Sequence, residues 1–254
     1  MATVVLTSAG NAPGVTTTAL GLALAWPRPV LLVDADRNPT QAVLAGYLRG
    51  EHPGHSGLAR LLQASREGRP MAAALAGETV ELPALVAGNR AGFVPGFPHP
   101  GVVGLFASAW PELMSTLAAW DGDVLIDAGR IGVDGLPLSL THGADLVLAV
   151  TRTSLVALAG LRLYLPGLAE ASDRTALLLV GSGMPYGRAE VQEQFATTVA
   201  AEVAHAPAQA AVLSDGTGVP RRFAESGYFR SLRTASASIA GRLDATRELI
   251  GARR

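Results

Sequence analysis

Small residues dominate the segment between Thr7 and Val15, which joins one short apolar run to an apolar stretch of helical spacing. Glycine and alanine allow a backbone to approach an anion closely. Free amide groups at the start of a helix point at that anion with the positive end of the helix dipole. Two hydroxyls follow, on Thr16 and Thr17. The segment therefore has the residues to bind phosphate, with the Thr16 hydroxyl placed to hold a metal ion beside it.

The strict phosphate-loop pattern, G-x-x-x-x-G-K-[ST], fails at two positions of this segment. Ala9 stands in place of the first glycine, and Val15 replaces the lysine. The segment alone is also compatible with a tight turn between a strand and a helix, in which the threonines cap the helix.

Carboxylates follow two further apolar runs. Asp34 and Asp36 come at the end of the run that begins at Val30, and Asp127 ends the run that begins at Asp123. Ligands of open parallel sheets bind at the carboxyl edge of the strands. Three carboxylates grouped there around a glycine-rich turn are typical of a site for a nucleotide with Mg²⁺.

The elements that must position these residues alternate along the whole chain. Apolar runs of strand length are followed by helical stretches, which is the pattern of βαβ units, and the runs are continuous, as in strands buried on both faces. We predict an α/β fold with a mostly parallel sheet of about seven strands and helices on both faces. The predicted strands are residues 3–7, 30–34, 85–87 or 92–94, 123–127, 146–151, 176–180 and 209–213. The predicted helices are residues 16–26, 41–48, 57–64, 111–119, 154–170, 189–204 and 230–250.

Composition limits the function classes. The 254 residues include no cysteine, which excludes disulfides, thiolate catalysis, iron–sulfur clusters and cysteine zinc sites. All 20 basic residues are arginine, so a cation that meets phosphate must be an arginine, a metal ion or a backbone dipole. The net charge of −1 gives no general attraction to DNA, although a local arginine patch is left open.

Length and hydropathy predict a single domain spanning residues 1–254. The sequence has no uninterrupted apolar run of membrane-spanning length and no basic stretch at its start, so we expect a cytoplasmic protein with no integral membrane segment. The last predicted helix is expected to pack on the sheet rather than on a membrane surface. His52 and His55, in a loop rich in Pro and Gly, are expected to face solvent rather than bind metal.

These residues resemble the ParA/MinD family of deviant Walker A P-loop ATPases, whose loop reads K-G-G-x-G-K-T-T and whose second strand ends in D-x-D. The resemblance covers most of the chain. It implies a catalytic role for Asp36 and Mg²⁺ contacts from Thr16, Asp36 and Asp127. It implies that ATP contacts Gly10, Asn11, Ala12, Pro13, Gly14, Val15, Thr16, Thr17, Ser214 and Asp215.

The sequence also departs from that family. Gly10 and Val15 stand in the places of the two family lysines, and the adenine-reading Asn expected after the sixth strand is replaced by Gly181-Ser182-Gly183. Ser214 stands where the family has proline. Lysine-less loops of this kind resemble most the TadZ/CpaE branch, which helps to position pilus-assembly machinery. The resemblance implies ATP and Mg²⁺ as cofactors, a homodimer, and a protein partner in a secretion, pilus or partition system.

Three functional hypotheses follow. Loss of the lysine should slow phosphoryl transfer severely while backbone amides still bind phosphate, so the first is a weak or inactive ATPase that acts as a nucleotide-dependent dimeric switch. The second is a nucleotide-free pseudo-ATPase that serves as a dimerisation or docking scaffold. The third is a small-molecule enzyme of the same wider fold class. Arg37, Arg130 and Arg152 are either replacements for the missing cation or ordinary surface residues.

Overall fold

The computed structural model describes residues 1–10, 13–52 and 56–251. Its strands are β1 (Thr3–Ser8), β2 (Val30–Asp34), β3 (Val80–Glu81), β4 (Ala91–Val94), β5 (Asp123–Arg130), β6 (Leu146–Arg152), β7 (Thr175–Val180) and β8 (Val199–Val203). They form one sheet in the order β3-β4-β2-β5-β1-β6-β7-β8. All neighbouring strands are parallel except β3 and β4, which are antiparallel. The predicted α/β fold is confirmed, with eight strands rather than seven.

Helices connect the strands and cover both faces of the sheet. They are α1 (Val15–Leu24), α2 (Leu58–Arg66), α3 (Met71–Glu78), α4 (Pro100–Leu105), α5 (Trp110–Ala118), α6 (Leu138–Gly143), α7 (Leu155–Ala171), α8 (Arg188–Phe195), α9 (Pro207–Ser214) and α10 (Gly227–Gly251). A π-helical turn covers Val43–Tyr47, within the helix predicted at residues 41–48.

The hydrophobic core has two layers because the side chains of β1 alternate between the faces of the sheet. Val4 and Leu6 pack with α1, α9 and α10, whereas Val5 packs on the opposite face with α2, α3 and α5 to α8. This alternation is the two-residue period of an extended strand. As predicted, α10 buries its apolar side chains Leu232, Ala235, Ile239 and Leu243 against this core.

The predictions are wrong near the C-terminus. Residues 209–213, predicted as a strand, lie in α9. Pro207 occupies the first turn of that helix, where proline is favoured, and the alanines after it favour helix. Residues 199–203, predicted as the end of a helix, form β8. The preceding helix stops at Phe195, since Ala196 has a positive φ of 47° and β-branched residues follow it.

The glycine- and proline-rich region also differs from prediction. Of the two alternatives for its strand, residues 91–94 form β4, and residues 85–87 do not form a strand. The short strand β3 and the helices α3, α4 and α6 have no counterpart among the predicted elements. That residues 1–254 form a single domain stays a prediction.

Asp123, the first residue of β5, links several elements at the amino ends of the central strands. Its carboxylate is 1% exposed and accepts hydrogen bonds from the Ala2 amide at 2.8 Å and the Trp26 indole at 2.9 Å. Arg28 donates to the same carboxylate and also to Asp244 on α10, whose side chain is 46% exposed. One buried carboxylate therefore joins β1, the segment after α1 and, through Arg28, the last helix.

We expect Asp123→Ala to lower the free energy of unfolding by about 3 kcal/mol, because it leaves a buried indole and an amide without their acceptor and removes one of the two carboxylate partners of Arg28. Asp244→Ala is the matched control and should cost less than about 1 kcal/mol, because its side chain is half exposed. Urea denaturation followed by circular dichroism measures both values. Equal losses in the two variants would contradict the assignment of Asp123 as the residue that links these elements.

Candidate functional site

The first turn of α1 has no side-chain cap for its amide groups. Gly10 and Gly14 have φ angles of 137° and 85°, in the region that favours glycine. Gly14 is the cap residue of α1, so the cap has no side chain to accept from the first turn of the helix. The first amides of a helix have no partner within the helix, so those of α1 are left for solvent or an anion.

The Thr16 hydroxyl does not cap the helix. It interacts with the carboxylate of Asp127, which is 2% exposed near the carboxyl end of β5. The Asp127 carboxylate also accepts a hydrogen bond from its own strand, where the Gly129 amide donates to Oδ1 at 2.9 Å. Helix α1 and strand β5 are thus joined at the phosphate-loop segment by a hydroxyl–carboxylate pair.

The acidic strand ends come together, as predicted. In the pairing of β2 with β5, Asp34 lies opposite Asp127. Asp34 Oδ1 accepts from the Asp36 amide at 3.1 Å. The Asp36 carboxylate lies so close to the backbone of Gly129 that a Cβ at residue 129 would fall 2.0 to 2.3 Å from it. Only glycine fits at that position, where φ is also +59°.

Burial shifts the pKa of these carboxyl groups upward. It is the main cause that raises the pKa of Asp34 to about 8, followed by repulsion from Asp127. Burial also raises the pKa of Asp127 to about 6, against the lowering effect of its hydrogen bonds from Thr16 and Gly129. The pKa of Asp36 is raised for the same first reason. A bound cation would favour the ionised forms of all three.

The donor set fits Mg²⁺ bound together with phosphate. Among residues 1–10, 13–52 and 56–251, no group of three or more His, Asp or Glu side chains is arranged to hold a metal ion alone. Mg²⁺ commonly takes one or two carboxylates and completes its shell with water and substrate phosphates. Thr16, Asp36 and Asp127 provide that kind of partial shell, so phosphate would have to supply the remainder.

A cleft of about 280 Å³ lies beside the start of α1. One wall comes from the loop and α1, and the other from the ends of β6, β7 and β8 and from α9 and α10. The lining residues are Pro13, Gly14, Thr17, Thr18, Arg152, Val180, Val203, Ala204, His205, Ala206, Pro207, Ala210, Ser214, Asp215 and Tyr228. The end of α9 therefore brings Ser214 and Asp215 to the loop, although their segment was predicted as a strand.

Most of the predicted site residues lie at this edge of the sheet. One part of this region is the acidic group, formed by Asp34, Asp36 and Asp127, with the Thr16 hydroxyl and Gly10 beside it. It continues into the cleft, which is lined by Pro13, Gly14, Thr17, Ser214 and Asp215. Val15 differs, because its side chain is 7% exposed and packs in the core layer of α1. Asn11 and Ala12, as well as His55, lie outside the described residues.

Sequence reasoning missed His205 and Tyr228 in the cleft wall. The sequence predicts a helix over residues 199–203, and a helix there gives no reason to place His205 in the site. Because these residues form β8 instead, His205 follows the end of a strand and lies at the carboxyl edge of the sheet. The run of valine and alanine before it was the available signal. Tyr228 enters from the first turn of α10, and its ring contacts Phe223 at 6.4 Å between centroids. No local sequence pattern connects Tyr228 with Gly14, which lies 214 positions earlier.

The three arginines named from the sequence occupy different places. Arg152 lines the cleft. Arg130 lies beside Gly10 at the other end of the loop. Arg37 donates to the Gly135 carbonyl and lies against Gly132. Two of the three arginines are therefore next to the loop, and the third is held by a backbone carbonyl.

No protein-family model matches the chain, and no curated protein matches it either. Solved structures do share the fold. A ParA family ATPase from Chlorobium tepidum TLS has a TM-score of 0.72 at 15% identity, covering 93% of this chain and 98% of its own. The septum site-determining protein MinD with Mg-ADP, from Pyrococcus horikoshii OT3, has a TM-score of 0.70 at 15% identity, covering 94% and 95%.

A third structure, a putative plasmid partition protein from Borrelia burgdorferi B31 bound to AMPPNP, has a TM-score of 0.67 at 12% identity, covering 95% of this chain and 98% of its own. At these identities the similarity establishes the fold, an eight-stranded mostly parallel sheet with flanking helices like that of ParA and MinD ATPases. In the described part of the chain, no helix combines the length and apolar character needed to cross a membrane.

Proposed function

We propose that this protein binds ATP with Mg²⁺, hydrolyses it slowly or not at all, and uses the bound state to form a dimer that positions a cellular machine. The observation that supports it most is the interaction of the Thr16 hydroxyl, at the start of α1, with the Asp127 carboxylate of β5. In phosphate-loop proteins a hydroxyl at this position of the loop and an acidic residue at a strand end hold Mg²⁺ together.

The neighbouring groups fit the rest of the nucleotide. The first amides of α1 would face the phosphates, and the cleft next to Gly14 and Thr17 would take the nucleoside. Thr16, Asp36 and Asp127 would hold Mg²⁺, and its charge would offset the burial that disfavours the ionised carboxylates. Asp36 would also orient the water that attacks the terminal phosphate.

Slow hydrolysis follows from the missing lysine. Phosphoryl transfer depends on groups that stabilise charge in the transition state, and removing one well-placed donor typically lowers the rate by about 100-fold or more. Binding depends less on that one group, because backbone amides and Mg²⁺ carry much of the phosphate charge. A slow enzyme with retained binding is suited to a switch, since the bound state persists.

For the biological role we propose a homodimer that acts with a protein partner of a pilus or secretion system, as in the TadZ/CpaE branch, or of a partition system. The lysine-less loop favours the first kind of system. The net charge of −1 gives no support for DNA as the partner.

The alternative is a nucleotide-free scaffold, and one observation favours it. Val15 occupies the lysine position, and its side chain packs in the core rather than being free to contact a phosphate. In that case the fold would serve only for dimerisation or docking.

Isothermal titration calorimetry with ATP, once in the presence of Mg²⁺ and once in EDTA, separates the two functions, together with thermal unfolding under the same conditions. We expect a measurable heat of binding and a rise in melting temperature, both of which depend on Mg²⁺. Thr16→Ala should weaken Mg-ATP binding by about 10-fold, because it removes a direct metal contact. Thr246→Ala, an exposed threonine of α10, is the matched control and should bind as the parent does.

Light scattering with and without a non-hydrolysable ATP analogue then tests the dimer. No heat and no thermal shift in the parent protein would leave only the scaffold function. Mg²⁺-independent binding that Thr16→Ala does not alter would also contradict the proposed metal site.

A further inference from the structure

The guanidinium of Arg130 covers the backbone of the loop at Gly10. A Cβ placed on Gly10 would lie 3.0 Å from Nη2 of Arg130, 3.2 Å from Nε and 3.3 Å from Cζ. The φ angle of Gly10 is +137°, so residue 10 disfavours a side chain on conformational grounds as well. The guanidinium of Arg130 therefore occupies the space that the side chain of any other residue at position 10 would need.

The position of Arg130 in the fold places it at the acidic end of the loop. It is the last residue of β5, three positions after Asp127, and it pairs with Ser8 at the end of β1. Gly129, directly before it, contacts the Asp36 carboxylate and offers its carbonyl to the Thr7 hydroxyl at 3.0 Å. The strand end that carries Arg130 is thus fixed against both the loop and the acidic group.

The charge of Arg130 is not used elsewhere in the described part of the chain. Its side chain forms no ion pair or hydrogen bond with a described residue, and the residue is exposed. Arg37, by contrast, donates to the carbonyl of Gly135. Arg152 lies at the opposite end of the loop, in the cleft next to Gly14 and Thr17.

We propose that Arg130 is the cation that binds the terminal phosphates of the nucleotide, in place of the lysines that are absent from positions 10 and 15. This inference rests on the proposed function. A guanidinium is always charged and can donate two parallel hydrogen bonds to phosphate oxygens. The guanidinium already lies against Gly10, in the segment that leads to α1, so we expect it to contact phosphates held by the amides of that helix.

Titrations with Mg-ATP, Mg-ADP and AMP test this role in the parent protein and in Arg130→Gln. We expect Arg130→Gln to bind Mg-ATP about 10-fold more weakly than the parent and AMP nearly as well, because the lost bonds involve only the outer phosphates. Arg130→Lys, which keeps the charge without the two-pronged geometry, should recover part of the loss. Arg90→Gln removes an exposed arginine outside the site and should change nothing.

A double-mutant cycle with Val15→Lys gives a second measurement that does not depend on AMP. If Arg130 supplies the missing charge, Val15→Lys should raise ATP affinity more in the Arg130→Gln background than in the parent background. Additive effects would overturn the inference, as would equal losses for ATP and AMP or unchanged ATP binding in Arg130→Gln. A parent protein that binds no ATP would overturn the proposed function itself and this inference with it.

Discussion

Val15→Lys is expected to bind Mg-ATP about 10- to 100-fold more tightly than the parent protein, the range set by one charge-assisted hydrogen bond to phosphate. In the proposed function, amides, hydroxyls and a metal ion bind the phosphates, and the lysine would add its ammonium to these groups. Hydrolysis should rise as well, because the added charge also stabilises the transition state.

The burial of Val15 adds a second expected effect of this substitution. The side chain is 7% exposed and packs in the core layer of α1, so a lysine there lacks a partner for its ammonium in the absence of phosphate. The ligand-free variant should therefore be less stable than the parent by about 1 to 3 kcal/mol. Mg-ATP should restore that stability, so the ligand-induced rise in melting temperature should be larger than in the parent.

Thermal unfolding and calorimetric titration measure these effects, with Val15→Met as the control. Methionine has a long side chain without charge, so Val15→Met reproduces the change in shape but not the interaction with phosphate. Equal ATP affinities in the two variants would show that side-chain size alone is responsible. A Val15→Lys variant that is destabilised and gains nothing from ATP would favour the scaffold function.

The central part of the fold was predictable because its signal is local. Strands β1, β2, β5, β6 and β7 are buried on both faces, so each appears in the sequence as a continuous apolar run. A parallel arrangement then places the carboxyl ends of β2 and β5 at one edge. For that reason the sequence predicts that Asp34 and Asp127 lie near each other, although they are 93 positions apart.

The other half of the site depends on contacts that no local pattern encodes. Alanine and valine dominate both β8 and α9, so the sequence around them fits strand and helix alike, and tertiary packing decides. The cleft wall needs both elements in their true form to bring His205, Asp215 and Tyr228 together. Likewise, the contact of Arg130 with Gly10 follows from the pairing of Arg130 with Ser8 at the ends of β5 and β1, whose register residue spacing does not determine.

The shifted pKa values of the acidic group predict an unusual dependence of stability on pH. An aspartate that titrates near 3.8 when unfolded and at about 8 when folded holds a proton in the native state over that whole interval. Unfolding then releases the proton, so a rise in pH favours the unfolded chain. Asp127, with a pKa of about 6, acts in the same direction over a narrower interval.

Metal-free protein should therefore lose stability as the pH rises from about 4 to about 8, by at most about 1.4 kcal/mol per pH unit for each such carboxyl group. Mg²⁺ together with nucleotide should reduce the loss at the upper end, because a cation stabilises the ionised carboxylates that high pH produces.

Asp34→Asn tests the origin of this loss, because asparagine is neutral at every pH and its oxygen can still accept from the Asp36 amide. In EDTA at about pH 8, the variant should be more stable than the parent by about 2 to 4 kcal/mol, and its stability should vary less with pH. Asp134→Asn removes an exposed carboxylate and serves as the control. Urea denaturation at a series of pH values gives the free energy of unfolding of each protein as a function of pH. If this free energy changes with pH equally in the parent and in Asp34→Asn, Asp34 ionises normally and burial does not raise its pKa.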